Sequence, residues 1–150
     1  MTDEQHFHIG IKALIINKKN ETLLLKANPD VVKQKIEHWD LPGGRINEGD
    51  SVEATLKREM KEELDIGEND FRIGKLFDAS ISKFKIPLDN GHKVGLMLMT
   101  YVCSLKTDKK FSLSKEHTEH QWFSLSEAKR LLSVKFSPEF IRKLDDLKKH

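Results

Sequence analysis

The chain has 150 residues, 37% hydrophobic and 33% charged, and its 26 basic and 24 acidic side chains leave a net charge of +2. This length predicts one domain over residues 1–150, with room for a sizeable core. The balanced charge excludes the broad basic footprint needed to track extended nucleic acid or an anionic membrane, and the lone Cys103 excludes a disulfide scaffold.

No apolar run reaches membrane-spanning length, and the polar start Met1-Thr-Asp-Glu lacks the pattern of a signal peptide, so a reducing cytoplasm is the expected location. Residues 7–16 are rich in aliphatic and β-branched types and predict a strand. Residues 17–21 predict a turn, and 22–26 a return strand. Residues 27–38 are polar and irregular. Trp39-Asp-Leu-Pro-Gly-Gly-Arg45 follows, and its paired glycines mark a place where backbone conformation matters more than side chains.

Residues 51–64 predict a helix, because Val52, Leu56, Met60 and Leu64 form an apolar seam. Asp50, three residues before Glu53, predicts its N-terminal cap. Residues 71–86 alternate loosely, Asp89-Asn-Gly91 signals a hairpin, and 94–105 is a long apolar strand holding Cys103 as a buried small residue. A short strand over 121–123 precedes a helix opened by Ser124, and Ser137-Pro138 opens another. The order predicts an α+β or α/β sandwich with a mixed sheet between helical layers.

One segment carries chemistry. Glu59, Glu62 and Glu63 fall at i, i+3 and i+4, so the predicted helix turns all three carboxylates toward one side. Like charges so spaced repel by roughly 0.2–0.5 kcal/mol per pair on an exposed helix. A solvated acidic face neutralised by Lys57 and Lys61 is one reading of the pattern. A divalent cation is the other, since clustered oxygens suit Mg²⁺ or Mn²⁺ and a glycine loop offers carbonyls or amides.

The segment from Gly43 to Ile66 resembles the box that marks the Nudix hydrolase family, MutT-like members included. Gly44, Arg58-Glu59-Met60, Glu62-Glu63 and Ile66 match its fixed positions; Asp50 stands where the family has Glu, and Asp65 where it has Gly. Trp39-Asp-Leu-Pro-Gly-Gly before the box and Trp122-Phe-Ser-Leu-Ser-Glu-Ala128 after it extend the resemblance. It implies a metal-dependent hydrolase cleaving a diphosphate linked to a nucleoside. Glu59, Glu62, Glu63 and the carbonyl of Gly43 would hold Mg²⁺ or Mn²⁺, with Glu59 as water-activating base and Arg58 orienting it. A further carboxylate ligand would be Glu116, with Glu119 as alternate. His117 and His120 lack the second pair that zinc spacing needs. Lys26 and Arg45 match positions of basic phosphate contacts, and Trp39 could stack on a base or pack on its own domain.

The resemblance favours a compact triphosphate-type hydrolase acting on a small nucleotide and releasing monophosphate and pyrophosphate. Dinucleoside polyphosphate, ADP-ribose or sugar-nucleotide pyrophosphatases are the alternatives, as is a non-catalytic nucleotide sensor. Monomer and homodimer both remain open.

Overall fold

A computed structural model describes residues 3–31, 36–108 and 110–149; part of the irregular stretch 27–38 lies outside the described residues. Among the described residues seven strands form two sheets. The first has the order β4 (Gly43–Arg45), β1 (Phe7–Ile15), β6 (Lys93–Leu105), β5 (Phe71–Pro87). The second has the order β3 (Trp39–Asp40), β2 (Glu21–Ala27), β7 (His117–Ser124). The predicted single mixed sheet is therefore two. β1 and β6 run parallel and make the first sheet mixed, whereas every pair in the second is antiparallel.

Apolar residues fill both faces of β1 and β2, which is why these strands read as continuous apolar runs rather than alternating ones. Ile11, Ala13, Ile15, Leu23 and Leu25 pack against Leu56, Met60 and Leu64 of helix α1 (Val52–Leu64). Leu14 and Leu24 point the other way and meet Leu132, Phe136 and Phe140. Those residues come from helix α2 (Leu125–Leu132), the turn after it, and helix α3 (Pro138–Lys143), beyond which a 3-10 stretch covers Leu144–Lys149. The result is an α/β sandwich.

Helix ends follow local chemistry. Ser51, not Asp50, caps α1: its hydroxyl accepts from the Ala54 amide at 3.0 Å. The predicted cap was one residue early because Asp and Ser are both good cap residues and stand side by side. Ser124 and Ser137 cap α2 and α3 as expected. Asp65 ends α1 in the left-handed region at φ 56°, a conformation that Asp tolerates better than most residues. The Asp89–Gly91 turn joins β5 to β6, closed by a Leu88 amide bond to the His92 carbonyl at 2.8 Å. Cys103 is buried and free, with its thiol pushed up to about 12 by burial.

Candidate active site

The site begins where β4 crosses β1. Gly43 pairs with Lys12, and Gly44 with Ile11. Gly43 sits at φ +143°, where a Cβ would lie 2.0 Å from the Ile11 carbonyl oxygen. A Cβ on Gly44 would lie 2.3 Å from the Glu59 carboxylate, so only glycine leaves room for that group. The paired glycines thus allow α1 to bring its acidic face against the strand.

Two contacts then fix Glu63 and Glu59. The Gly43 amide donates to Glu63 Oε1 at 2.6 Å, and Glu63 is nearly fully buried. Glu59 is mostly buried, while Glu62 is exposed. Arg58 pairs with Asp50, donates to the Arg45 carbonyl at 3.2 Å and reaches Glu59 Oε1 at 3.4 Å. The shorter Asp50 side chain therefore still engages Arg58, and the guanidinium ties the loop to Glu59.

The electrostatics are those of acids taken out of water beside one another. Burial pushes Glu63 up to about 8 against the pull of Lys12. Burial and the neighbouring Glu62 raise Glu59. Burial holds His117 down to about 4, and its Nε2 stands 3.5 Å from Glu63 Oε2. His117 Nδ1 is buried without a hydrogen-bond partner among the described residues.

A cavity of about 960 Å³ opens over this face. Gly43, Gly44, Arg45, Arg58, Glu59, Glu62 and Glu63 line it, as does Glu116. Glu116 is held there by its backbone, because its carbonyl accepts from the Asn28 amide at 2.8 Å just before β7 begins. Glu119 lies further along β7, where it pairs with Lys26 at 3.4 Å. Lys26 also pairs with Glu37 at 3.1 Å. Neither Lys26 nor Trp39 is among the cavity walls: Trp39 packs edge-on against Phe123, with ring centres 5.0 Å apart. Successive strand residues face opposite ways, so Asp40 enters the cavity in place of Trp39. His120 stacks edge-on with Phe111 at 5.2 Å rather than joining His117.

Sequence reasoning missed a second cluster in the same cavity wall, where Lys12, His38, Asp40 and Lys135 meet. The signal available for Lys12 was a charge inside an apolar strand. For Lys135, between Val134 and Phe136, there was none.

Among the described residues no three acidic, His or Cys side chains are already drawn together as a metal-binding group. The donors nonetheless fit a hard divalent cation. They are oxygens, among them the Glu59 and Glu63 carboxylates whose proton affinity burial raises, beside a glycine-walled space that a side chain would fill. Glu59, Glu62, Glu63, Glu116 and the Gly43 carbonyl are the residues that would hold it.

Comparison with known proteins identifies the family. Residues 6–144 match the family model for the NUDIX domain. The chain is 30% identical over 111 residues to Nudix hydrolase 5 of Arabidopsis thaliana, a match covering 74% of this chain and 33% of that protein. It is 32% identical over 72 residues to an 8-oxo-dGTP diphosphatase of Buchnera aphidicola, covering 48% of this chain and 54% of the relative. The matches therefore span about a third to a half of these relatives. Among solved structures, the MutT protein of Methanosarcina mazei superposes with a TM-score of 0.73 at 25% identity, over 99% of this chain and 100% of that one. A C. elegans Ap4A hydrolase superposes at 0.66 with 20% identity over 93% and 96% of the two chains, and supports the fold alone. The chain belongs to the NUDIX family. No described helix is long and apolar enough to cross a membrane.

Proposed function

We propose that this chain is a divalent-metal-dependent hydrolase that cleaves a diphosphate linkage in a nucleoside triphosphate, releasing monophosphate and pyrophosphate. The observation that carries the reading is that Glu59, Glu62 and Glu63 line one nucleotide-sized cavity together with Gly43 and Gly44. Retention of all three carboxylates and of the Arg58–Asp50 pair favours catalysis over nucleotide sensing. The Buchnera relative, named as a diphosphatase of a purine triphosphate, supports the substrate class.

Bound Mg²⁺ or Mn²⁺ would neutralise phosphate oxygens and lower the pKa of attacking water. Glu59, oriented by Arg58, takes the proton from that water. Glu63, fixed by the Gly43 amide, holds its carboxylate against the same loop. Arg45 is exposed at the cavity rim, 3.2 Å from His8 Nδ1, and can meet the outer phosphates. The buried free thiol of Cys103 accords with a reducing cytoplasm.

The test is a product screen with Mg²⁺ and with Mn²⁺ over nucleoside triphosphates, dinucleoside polyphosphates, ADP-ribose and sugar nucleotides. Triphosphates should turn over best, with monophosphate and pyrophosphate in equal amounts. Release of orthophosphate from triphosphates, or no turnover of any of these anhydrides, overturns the reading.

A further inference from the structure

The turn that carries Glu116 is pinned by one residue. Asn28 stands just beyond the end of β2, and each of its four polar groups has a partner. Its amide donates to the Glu116 carbonyl at 2.8 Å, and its Nδ2 donates to the Lys115 carbonyl at 3.1 Å. The other two groups face its own loop. Oδ1 accepts from the Asp30 amide at 3.1 Å, and the Asn28 carbonyl accepts from the Val31 amide at 3.0 Å. Asn28 thus ties the turn before β7 to the loop after β2, with a side-chain bond that spans 87 positions of sequence.

Asparagine carries a donor and an acceptor on one short side chain, which this double duty requires. The Asx turn to Asp30 fixes the amide plane, and the same plane aims Nδ2 at Lys115. Reversing oxygen and nitrogen would set donor against donor and acceptor against acceptor, so the network fixes the orientation.

The ladder between β2 and β7 explains why the pin sits there. Lys26 pairs with Glu119, but Ala27 pairs with His117, so Thr118 is an extra residue in β7. A bulge of this kind re-aims the side chains beyond it. Here it leaves Glu119 beside Lys26 and turns His117 toward Glu63. Glu116 comes next, opposite Asn28, and lines the cavity, whereas Asn28 is not among the cavity walls. The bonds within the turn are longer: the Glu116 amide reaches Ser114 Oγ at 3.3 Å, and the His117 amide reaches the Ser114 carbonyl at 3.2 Å. The two bonds from Asn28 therefore extend the ladder past the bulge and hold the turn against β2.

Resting on the metal-dependent reading above, we propose that Asn28 is a positioning residue for Glu116: by pinning the turn at 114–117 it sets the reach of the Glu116 carboxylate toward a cation on Glu59, Glu62 and Glu63. Asn28 acts through Glu116 and is not itself a ligand.

The experiment is a double-mutant cycle on the intact chain, read as Mn²⁺ affinity by calorimetry without substrate. The variants are Asn28→Ala, Asn28→Ser, Glu116→Gln and Asn28→Ala combined with Glu116→Gln. Loss of a residue that orients a metal ligand typically costs about 10–100-fold in metal affinity or activity. Asn28→Ala should weaken Mn²⁺ binding by about ten-fold, the low end of that range, because the backbone bond to Glu116 stays. Asn28→Ser should weaken it too, since a hydroxyl can keep the Asp30 turn but is too short to bridge to Lys115. In the Glu116→Gln background Asn28→Ala should cost about two-fold or less, as the ligand it serves is gone. A merely structural role would lower the melting temperature in chelator and weaken binding equally in both backgrounds, and equal losses overturn the proposal. Affinity within about two-fold of wild type in folded Asn28→Ala also overturns it. Should Asn28→Ala fail to fold, Asn28→Ser takes its place in the cycle. Wild-type affinity in Glu116→Gln removes Glu116 from the metal site, and the proposal with it, while the hydrolase reading stands. Absence of Mn²⁺ binding in wild type overturns both the metal-dependent reading and the proposal.

Discussion

The Gly43 amide and the Glu63 carboxylate, 2.6 Å apart, join the glycine turn to the acidic helix. This bond links positions twenty residues apart and fixes how deep α1 sits against β1. It also explains why a carboxylate pushed up to about 8 by burial is tolerated: the amide satisfies it on one side, and His117 stands 3.5 Å away on the other.

The first expectation concerns metal and stability. A cation bound only by the folded chain stabilises it by mass action. Mg²⁺ or Mn²⁺ should therefore raise the melting temperature, and the combined Glu62→Gln and Glu63→Gln change should abolish the rise. The readout is thermal unfolding with and without chelator, independent of turnover. An equal metal-induced rise in wild type and double variant would remove these two side chains from the site.

The second separates two neighbours that the sequence alone confuses. Ser51 caps α1 and Asp50 pairs with Arg58. Ser51→Ala should cost about 0.5–2 kcal/mol of stability with catalysis little affected. Asp50→Asn should do the reverse, loosening Arg58 and with it Glu59, so that kcat falls while the denaturation midpoint moves little. Chemical denaturation and steady-state kinetics on both variants check this. Comparable loss of stability from the two changes would mean that Asp50 also serves the helix end.

How much was legible follows from the range of each contact. The face of α1 was readable because helical spacing alone brings Glu59, Glu62 and Glu63 together, and the apolar seam says which side is buried. The cap was misplaced by one residue because two good cap residues stand side by side. The Lys12–Asp40–Lys135 cluster in the cavity wall is not readable in the same way. Lys12 and Asp40 meet across a separation of 28 residues, and Lys135 and Asp40 across 95. Nothing local distinguishes Lys135 from a surface lysine. Asp40 lies beside Trp39 in the Trp39–Arg45 motif, but only strand alternation shows which of the two faces the cavity.

The third expectation is a pH dependence of stability. Burial lowers Lys135 to about 8 from 10.5, with Lys12 adding to the effect and Asp40 and Glu63 opposing it. Asp40 stays ionised, since Lys12 and Lys135 hold it well below the usual carboxylate range despite burial. Below about pH 8 the folded chain carries the full cost of burying the Lys135 charge. Between about 8 and 10.5 the unfolded lysine keeps a proton that the folded one has lost, so stability rises with pH over that window. Cys103 acts the other way from pH 9.0 upward, because burial holds its folded thiol protonated to about 12. The comparison is therefore between wild type and Lys135→Met, both of which contain Cys103. The stability of wild type relative to the variant should climb as pH rises from 8 toward 10.5. A flat difference in denaturation midpoints across this window would show that Lys135 is not the titrating group.

The last concerns the attacking water. Glu59 lies against Gly44, within reach of Arg58, and next to Glu62 in the cavity. Burial and Glu62 raise its proton affinity, which suits a group that must accept a proton. General-base work alone is worth about 10²–10⁴-fold in rate, and losing a proposed metal contact would add to the damage. Glu59→Gln should therefore lower kcat by roughly 10³-fold or more, with KM little changed because the substitution is nearly isosteric. Gly44→Ala should reproduce much of the loss by a different route, since the added Cβ would occupy the space of the Glu59 carboxylate. Glu116→Gln should cost less if Glu116 serves only as an auxiliary ligand. Kinetics on folded variants, with monophosphate and pyrophosphate followed separately, provide the check. A Glu59→Gln variant within about ten-fold of wild type falls below the range for general-base work and would transfer the role of base to Glu116 or Glu119.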